Sequence, residues 1–372
     1  MRRATAVIGA NYGDEAKGRM VDYLASGVSA DCAVVRFNGG AQAGHTVVTP
    51  DDRRRVFHHL GSGTLAGAKT YLAKHFVLNP ILFWHEYAEF LEVRLAPPVA
   101  ADPRCYVTTP YDMLINQMVE DHRGAARHGS CGVGFGETIE RNNYPAFRLL
   151  KDDLSASDKL LKQKLINIRD NWMPARLHQL GVPPLVGDDT HLGNNWVDAF
   201  IAAARKFDHA VPSAGLEYIQ SSQIIFEGAQ GLLLDQEYGE FPHVTRSNTG
   251  LKNVVPIARA LALELDVVYV SRTYLTRHGA GAIKNEFVPN PVPIDATNQS
   301  HPYQGTLRFG HLDPRGLKER VSHDLAIGGC SVSSVHLALT CCDQVTIAMP
   351  DVGLAIGYRG FGPRRDQTET VI

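Results

Sequence analysis

Asp14 and Lys17 lie within one glycine-bearing segment, Gly13-Asp14-Glu15-Ala16-Lys17-Gly18-Arg19, directly after the apolar run Ala6-Val7-Ile8. Glycines let backbone N–H groups approach phosphate oxygens, and a following helix N-terminus adds a favourable dipole. Lys17 supplies a point charge for phosphates. The segment is not a Walker A loop, because Gly18, not Ser or Thr, follows Lys17, and Arg19 comes next. Asp14 is the odd member: an anion among phosphate-binding groups repels phosphate unless it holds Mg²⁺ or takes a proton. The plainer alternative is a glycine turn with a helix-capping Asp. A second loop, Asn38-Gly39-Gly40-Ala41-Gln42-Ala43-Gly44-His45-Thr46, follows Ala33-Val34-Val35. Its histidine can donate to a developing oxyanion or phosphoryl group, or be a structural histidine after a turn. A third, Phe226-Glu227-Gly228-Ala229-Gln230-Gly231, follows Gln223-Ile224-Ile225. Gln230 can read a base edge or carbonyl through its amide. Thr245, Ser247, Asn248 and Thr249 form a polar loop suited to phosphate or sugar contacts, or simply a turn rich in capping residues.

The elements that must carry these loops read as buried strands. Short apolar runs at Thr5–Ile8, Ala33–Phe37, Ile224–Phe226, Val267–Val270 and Val345–Ala348 alternate with helix-like stretches, the pattern of a largely parallel sheet. Helices are expected at Val21–Ala25, Tyr111–His122, Trp196–Phe207 and Val254–Glu264, with Pro110 in a first turn and Pro212 as a stop. Pro97-Pro98 and Pro289 to Pro293 mark loops. The expected fold is α/β: a single large domain over residues 1–372, with a central mostly parallel β-sheet flanked by helices and P-loop-like phosphate loops.

The chain has 372 residues, 44% hydrophobic and 20% charged, with a formal net charge of −2. That balance gives no global attraction to nucleic acid or anionic membrane. No apolar run approaches the roughly 20 residues of a membrane helix, and Met1-Arg2-Arg3-Ala4 leads straight into a strand-like run, so a cytoplasmic protein is expected. Cys32, Cys105, Cys131, Cys330, Cys341 and Cys342 contain no C-x-x-C pair, which argues for a reducing compartment and for mostly buried, inert thiols.

Taken together and in order, Gly13-Asp14-Glu15-x-Lys17-Gly18, Asn38-Gly39-Gly40-x-x-Ala43-Gly44-His45-Thr46 and Phe226-Glu227-Gly228-Ala229-Gln230-Gly231 resemble the adenylosuccinate synthetase family. So do Pro242-x-Val244-Thr245-x-Ser247-Asn248-Thr249, Thr276-Arg277-x-Gly279-x-Gly281 and Gly362-Pro363. The resemblance covers most of the chain. It implies a ligase that joins L-aspartate to the 6-oxo carbon of a purine nucleoside monophosphate through a 6-phosphoryl intermediate, with Mg²⁺ and a nucleoside triphosphate. By the same resemblance, Asp14 takes the ring N1 proton, a step worth about 10²–10⁴ in rate, and His45 stabilises charge at the 6-oxygen. Lys17 completes a phosphate cradle with Gly13, Glu15, Gly18, Gly44 and Thr46. Asp14 and the Gly44 carbonyl match the Mg²⁺ ligands. Gln42, Ser130, Cys131, Gln230 and Thr245 match contacts to the monophosphate. Arg141 matches an arginine that reaches the neighbouring subunit's site, which would make a homodimer. Arg308, with Thr297 and Asn298, matches the aspartate site, and Asp343, Gly362 and Pro363 the base of the triphosphate.

The chain departs from the family pattern in three respects. It is short. The family's Thr-Lys-x-Asp run reads Thr340-Cys341-Cys342-Asp343, so a lysine stem that could pack on guanine is gone. The family's arginine-rich aspartate loop is reduced to Gly305-Thr306-Leu307-Arg308, and the threonine pair beside the substrate phosphate is replaced in Gly129-Ser130-Cys131-Gly132. These departures are similar to a phage-encoded branch that uses dGMP with ATP or dATP, on the way to 2-aminoadenine DNA; in that case the location is the host cytoplasm. IMP with GTP is the alternative within the family. A catalytically inactive nucleotide-binding regulator is the alternative of another class. A dehydrogenase is disfavoured, since no G-x-G-x-x-G follows the first strand.

Overall fold

The first strand, β1 (Arg2–Gly9), lies inside a nine-stranded sheet, hydrogen-bonded on both sides to parallel neighbours. The computed structural model describes residues 2–27, 31–183, 193–289, 303–344 and 353–371. The further strands are β2 (Cys32–Arg36), β3 (His45–Val48), β4 (Arg54–Phe57), β5 (Lys69–Leu72), β6 (Val99–Ala101), β7 (Gln223–Gly231) and β8 (Leu263–Arg272). They continue with β9 (Tyr274–Arg277), β10 (Glu286–Phe287), β11 (Arg308–His311), β12 (Val332–Thr340), β13 (Ile356–Gly360) and β14 (Thr368–Thr370). The helices are α1 (Lys17–Ser26), α2 (Pro80–Glu92), α3 (Pro110–Arg123), α4 (Phe135–Asn142) and α5 (Asp158–Asn167), then α6 (Met173–Gln179), α7 (Asn194–Ala210), α8 (Val254–Ala260) and α9 (Pro314–Gly328).

The main sheet runs β14-β13-β12-β8-β1-β7-β2-β5-β6, and every pairing in it is parallel except β13 with β14. This is the expected α/β domain with a largely parallel central sheet. β1, β2 and β7 are short apolar runs because both faces are covered: Val7, Val34 and Ile225 pack with α1 on one side, and Ile8, Val35 and Phe226 with the opposite cluster. Parallel pairing also aligns strand ends. The loops after β1, β2, β7, β8 and β12 therefore leave from one edge of the sheet, where open α/β folds bind ligands.

Several boundaries differ from the sequence reading. α1 begins at Lys17, four residues before the expected start, so the glycine loop abuts a helix N-terminus directly. The expected helix Val254–Glu264 stops at Ala260; Ala262 turns with φ 52°, and Leu263 already pairs with Arg2 in the sheet. β12 escaped detection because its first half, Val332-Ser333-Ser334-Val335-His336, has no apolar run. Val345–Ala348 lies outside the described residues. The cysteines also differ: Cys32 and Cys105 are buried, whereas Cys131, Cys341 and Cys342 are half-buried and Cys330 is exposed, all as free thiols.

One candidate site residue belongs to this framework instead. Thr109 caps α3 in a capping box with Asp112. The same Asp112 receives Arg141 of α4 through both carboxylate oxygens, at 2.8 and 2.9 Å. Arg141 also donates to the carbonyls of Phe147 and Val107, and neither side chain of the pair is exposed. The cross-subunit role expected for Arg141 is thus corrected: its guanidinium is consumed inside its own chain, joining α3 to α4. Removing one partner of a buried pair strands the other charge. Arg141→Ala should therefore lose about 3–5 kcal/mol of stability in denaturant unfolding. Arg141→Lys should not restore it, because an ammonium cannot make the two-pronged contact.

Candidate active site

The loop after β1 turns twice through left-handed backbone, at Asp14 (φ 54°) and Ala16 (φ 65°). Ala16 occupies the cap position of α1 and offers no side-chain cap, so no capping side chain occupies the first N–H groups of that helix, the arrangement an anion can use. Asp14 does not cap the helix. Its Oδ2 lies 2.9 Å from Nδ1 of His278, and its carbonyl accepts from Arg272 Nε at 2.5 Å. Its side chain is a third exposed. Burial pushes the Asp14 carboxyl up, but the His278 hydrogen bond and the charges of His278, Arg272 and Lys17 outweigh it, and it is held below the usual carboxylate range.

Lys17 is buried, and burial draws its ammonium below the ordinary lysine range against the pull of Glu15, Asp14 and Glu227. Glu15 is held by the backbone and side-chain nitrogens of Asn11 at 2.8 and 2.6 Å. Burial raises its carboxyl to about 7 despite Lys17. Gly9 is required here: a Cβ at that position would lie 2.6 Å from Glu15 Oε2 and 2.9 Å from Lys17 Nζ.

The second loop comes to the first through Gly18, whose missing Cβ would lie 3.2 Å from that of His45. His45 opens β3, and its Nδ1 is 2.5 Å from Glu227 Oε1, both side chains being buried. Ser62 donates its N–H to the other oxygen of Glu227 at 2.9 Å and its hydroxyl to the first. Burial pushes Glu227 up, but His45, Arg36 and Ser62 overcome it and hold the carboxyl at about 2. Burial, helped by Arg36, lowers His45 to about 4. At neutral pH the imidazole is neutral, with Nδ1–H on Glu227, leaving Nε2 as the second ring nitrogen.

The third loop closes the group. Gln230 has φ 58° at the end of β7, and its Oε1 is buried without a partner. Both amide atoms of Gln42 and the hydroxyl of Thr46 are likewise buried and unpartnered. Such a concentration of unsatisfied polar atoms marks a place that a ligand or water fills. Thr245 is held by its N–H on the Leu234 carbonyl at 2.8 Å, in a loop anchored by Asn38 and Asp235. Gly44 is exposed beside them.

Ser130 and Cys131 approach from the far side. Their loop packs on the loop after β9, since a Cβ on Gly129 would fall 2.7 Å from Gly279 Cα. Ser130 Oγ accepts from Asn116 at 2.7 Å, and burial pushes the Cys131 thiol up to about 11, so it is no nucleophile. Arg308 sits on β11 opposite Arg277, bonded to the carbonyls of Gly279 and Gly281 and to Glu286. Asp343 and Pro363 are exposed, and Gly362 lies near Asp343 through Arg19, which donates to the Gly362 carbonyl and feels the charge of Asp343. Thr297 and Asn298 lie outside the described residues.

Sequence reasoning passed over Glu227, Arg36, Arg272, Arg19 and His278. Glu227 stood inside a quoted motif, and Arg36 is a charge ending an apolar strand, so each had a signal. His278 occupied the variable position of Thr276-Arg277-x-Gly279 and had none.

Carboxylate, lysine and histidine around an uncapped helix start, at the carboxyl edge of a parallel sheet, define a phosphate-handling nucleotide enzyme. The chain belongs to the adenylosuccinate synthetase family, whose sequence profile matches residues 6–368, and it is accordingly a ligase that forms C–N bonds. It is 28% identical to the adenylosuccinate synthetase of Borrelia turicatae, over 98% of this chain and 82% of that one. It is 29% identical to that of Chromohalobacter salexigens, over 96% and 81%. Among solved structures, the fully ligated adenylosuccinate synthetase of Plasmodium falciparum superposes over all of both chains with a TM-score of 0.73 at 18% identity. The succinoaminodeoxyadenylate synthetase PurZ of cyanophage S-2L, bound to dGMP and dATP, does so over all of this chain and 95% of its own, with a TM-score of 0.61 at 16% identity. Among the described residues no helix is long and apolar enough to cross a membrane.

Glu227 gives a pH-dependent test. Its folded-state carboxyl lies at about 2, below the ordinary 4.5, so it contributes stability above pH 4.5 that is lost as pH falls toward 2. Glu227→Gln should melt at a lower temperature than the wild type at pH 7, and the gap should narrow as the pH is lowered from 4.5.

Proposed function

We propose that this enzyme joins L-aspartate to C6 of dGMP, with ATP or dATP as phosphoryl donor, giving the N6-succinyl derivative of 2-amino-deoxyadenylate. The observation that carries the chemistry is Asp14: an ionised, partly exposed carboxylate held beside a buried lysine at a helix start. In the proposed sequence Asp14 takes the proton from ring N1. The 6-oxygen then attacks the γ-phosphorus, and the bond to the nucleoside diphosphate breaks. The aspartate amine adds at C6, and the C6–O bond breaks as phosphate leaves. His45, its Nδ1–H held by Glu227, would take a proton at Nε2 once the anionic donor is bound and as an imidazolium would stabilise charge at the 6-oxygen, and Lys17 with the α1 N–H groups would bind the donor phosphates. Gln42, Gln230, Ser130, Cys131 and Thr245 would contact the monophosphate. Arg308 would grip aspartate by exchanging its Nη1 contact with Glu286 for the ligand's carboxylates, its Nη2 staying on the Gly279 and Gly281 carbonyls.

Mg²⁺ would be held by Asp14 and the Gly44 carbonyl. One ionised, accessible carboxylate next to a phosphate cradle fits an ion that takes most of its ligands from phosphates and water. When bound it supplies charge neutralisation on the triphosphate. A homodimer stays part of the proposal, without Arg141 as its reason.

The nucleotide preference rests on the corner formed by Cys341, Asp343 and Gly362. Cys341 has φ 59° and carries no stem to lie along a guanine, which supports an adenine donor. PurZ, bound to dGMP and dATP, is a precedent on the same fold. A second reading, IMP with GTP, is supported by the exposed Asp343 carboxylate, which could accept from guanine N–H groups.

The test is a substrate matrix: L-aspartate and Mg²⁺ with IMP, GMP or dGMP, crossed with ATP, dATP and GTP, with succinylated product followed by mass. dGMP with ATP or dATP should be the best pair. IMP with GTP as clearly best would overturn the nucleotide assignment, and no product from any pair would overturn the chemistry. Asp14→Ala should lower turnover by about 10²–10⁴ in the productive pair, without loss of folding.

A further inference from the structure

His278 belongs to none of the roles above, yet it makes the side-chain hydrogen bond to Asp14, 2.9 Å from Nδ1 to Oδ2. The ring is 14% exposed, against 33% for the carboxylate it holds. Asp14 is thus fixed at two points. Arg272 holds its carbonyl in an unusual left-handed conformation, and His278 holds one oxygen of its side chain. A carboxylate offers about four lone-pair sites, so one N–H from His278 leaves room for a substrate N–H.

The support of His278 is itself braced from two directions. Gly279 and Gly281, with φ 80° and 98°, turn the chain directly after it. Arg308 donates to both of their carbonyls, at 3.2 and 2.5 Å. On the other side Gly129 packs so closely that a Cβ there would lie 2.7 Å from Gly279 Cα. The imidazole therefore reaches Asp14 from a loop clamped between the Ser130 loop and β11.

We infer that His278 is a positioning residue for the reaction: its ring N–H fixes the Asp14 carboxylate in the orientation that meets the N1–H of the purine. This rests on the proposed role of Asp14 as base. A carboxylate a third exposed and held only by its main chain would move among side-chain rotamers, and a displacement of about 1 Å at a reacting group can cost about 10²-fold in rate. The competing reading is that His278 merely closes the loop after β9. The two differ in one respect: a loop-closing role would not depend on Asp14.

The experiment measures kcat and KM for wild type, His278→Ala, His278→Asn, Asp14→Ala and the Asp14→Ala/His278→Ala double variant, with direct titration of the monophosphate onto each. Asn places an N–H at the reach of histidine Nδ1. His278→Ala should lose about 10²-fold in kcat with monophosphate affinity little changed. His278→Asn should recover much of that loss. In the Asp14→Ala background, removing His278 should cost nothing further. Full kcat in His278→Ala, or an equal loss with and without Asp14, would overturn the inference. If Asp14→Ala loses turnover while His278→Ala does not, the inference fails and the proposed function stands. If neither variant loses turnover, both fail.

Discussion

A buried ammonium must be compensated, and around Lys17 the active-site edge is arranged to do so. Glu15, Asp14 and Glu227 all act on its charge, and they come from two strand ends. Arg36, also fully buried, adds a second cation that Glu227 must serve. An isolated charge taken from water costs far more than a domain can spare. These five groups therefore stand or fall as one set. The set also prepares the chemistry, because it holds the Lys17 ammonium at the start of α1, where an anion can meet both the charge and the helix dipole.

Close approach is the second requirement. The charges can meet only if backbone passes within contact distance of them, and glycine makes that possible at Gly9 and Gly18. Any side chain at Gly9 would occupy the space of Glu15 and Lys17. A side chain at Gly18 would push the first loop away from His45. The glycine loops thus do one thing at two places: they let backbone from separate strands pass within contact distance of the buried charges.

Much of this was legible in the chain. Asp14, Lys17, His45, Gln42 and Gln230 stand in glycine loops after apolar runs, and a parallel sheet carries such loops to one edge. Their assembly follows from topology alone. Arg141 was misread because a motif position says nothing about direction; here the side chain turns inward to Asp112. His278 was invisible because its partner is 264 residues away. The helices α2, α4, α5, α6 and α9 went unread, and β12 lacked the apolar run that marks a fully buried strand.

The sequence by itself determined the class of fold and the kind of chemistry, since apolar runs, glycines and a few charged residues carry both in local order. Tertiary structure decided which charges share a neighbourhood, and so their protonation: a glutamate at about 7 and another at about 2 differ in surroundings, not in residue type. It also decided which polar residues are already satisfied inside the protein, as Arg141 is, and which, like Gln42 and Gln230, are buried with unpaired atoms. Burial and partnership are properties of packing between distant segments, and no local pattern encodes them.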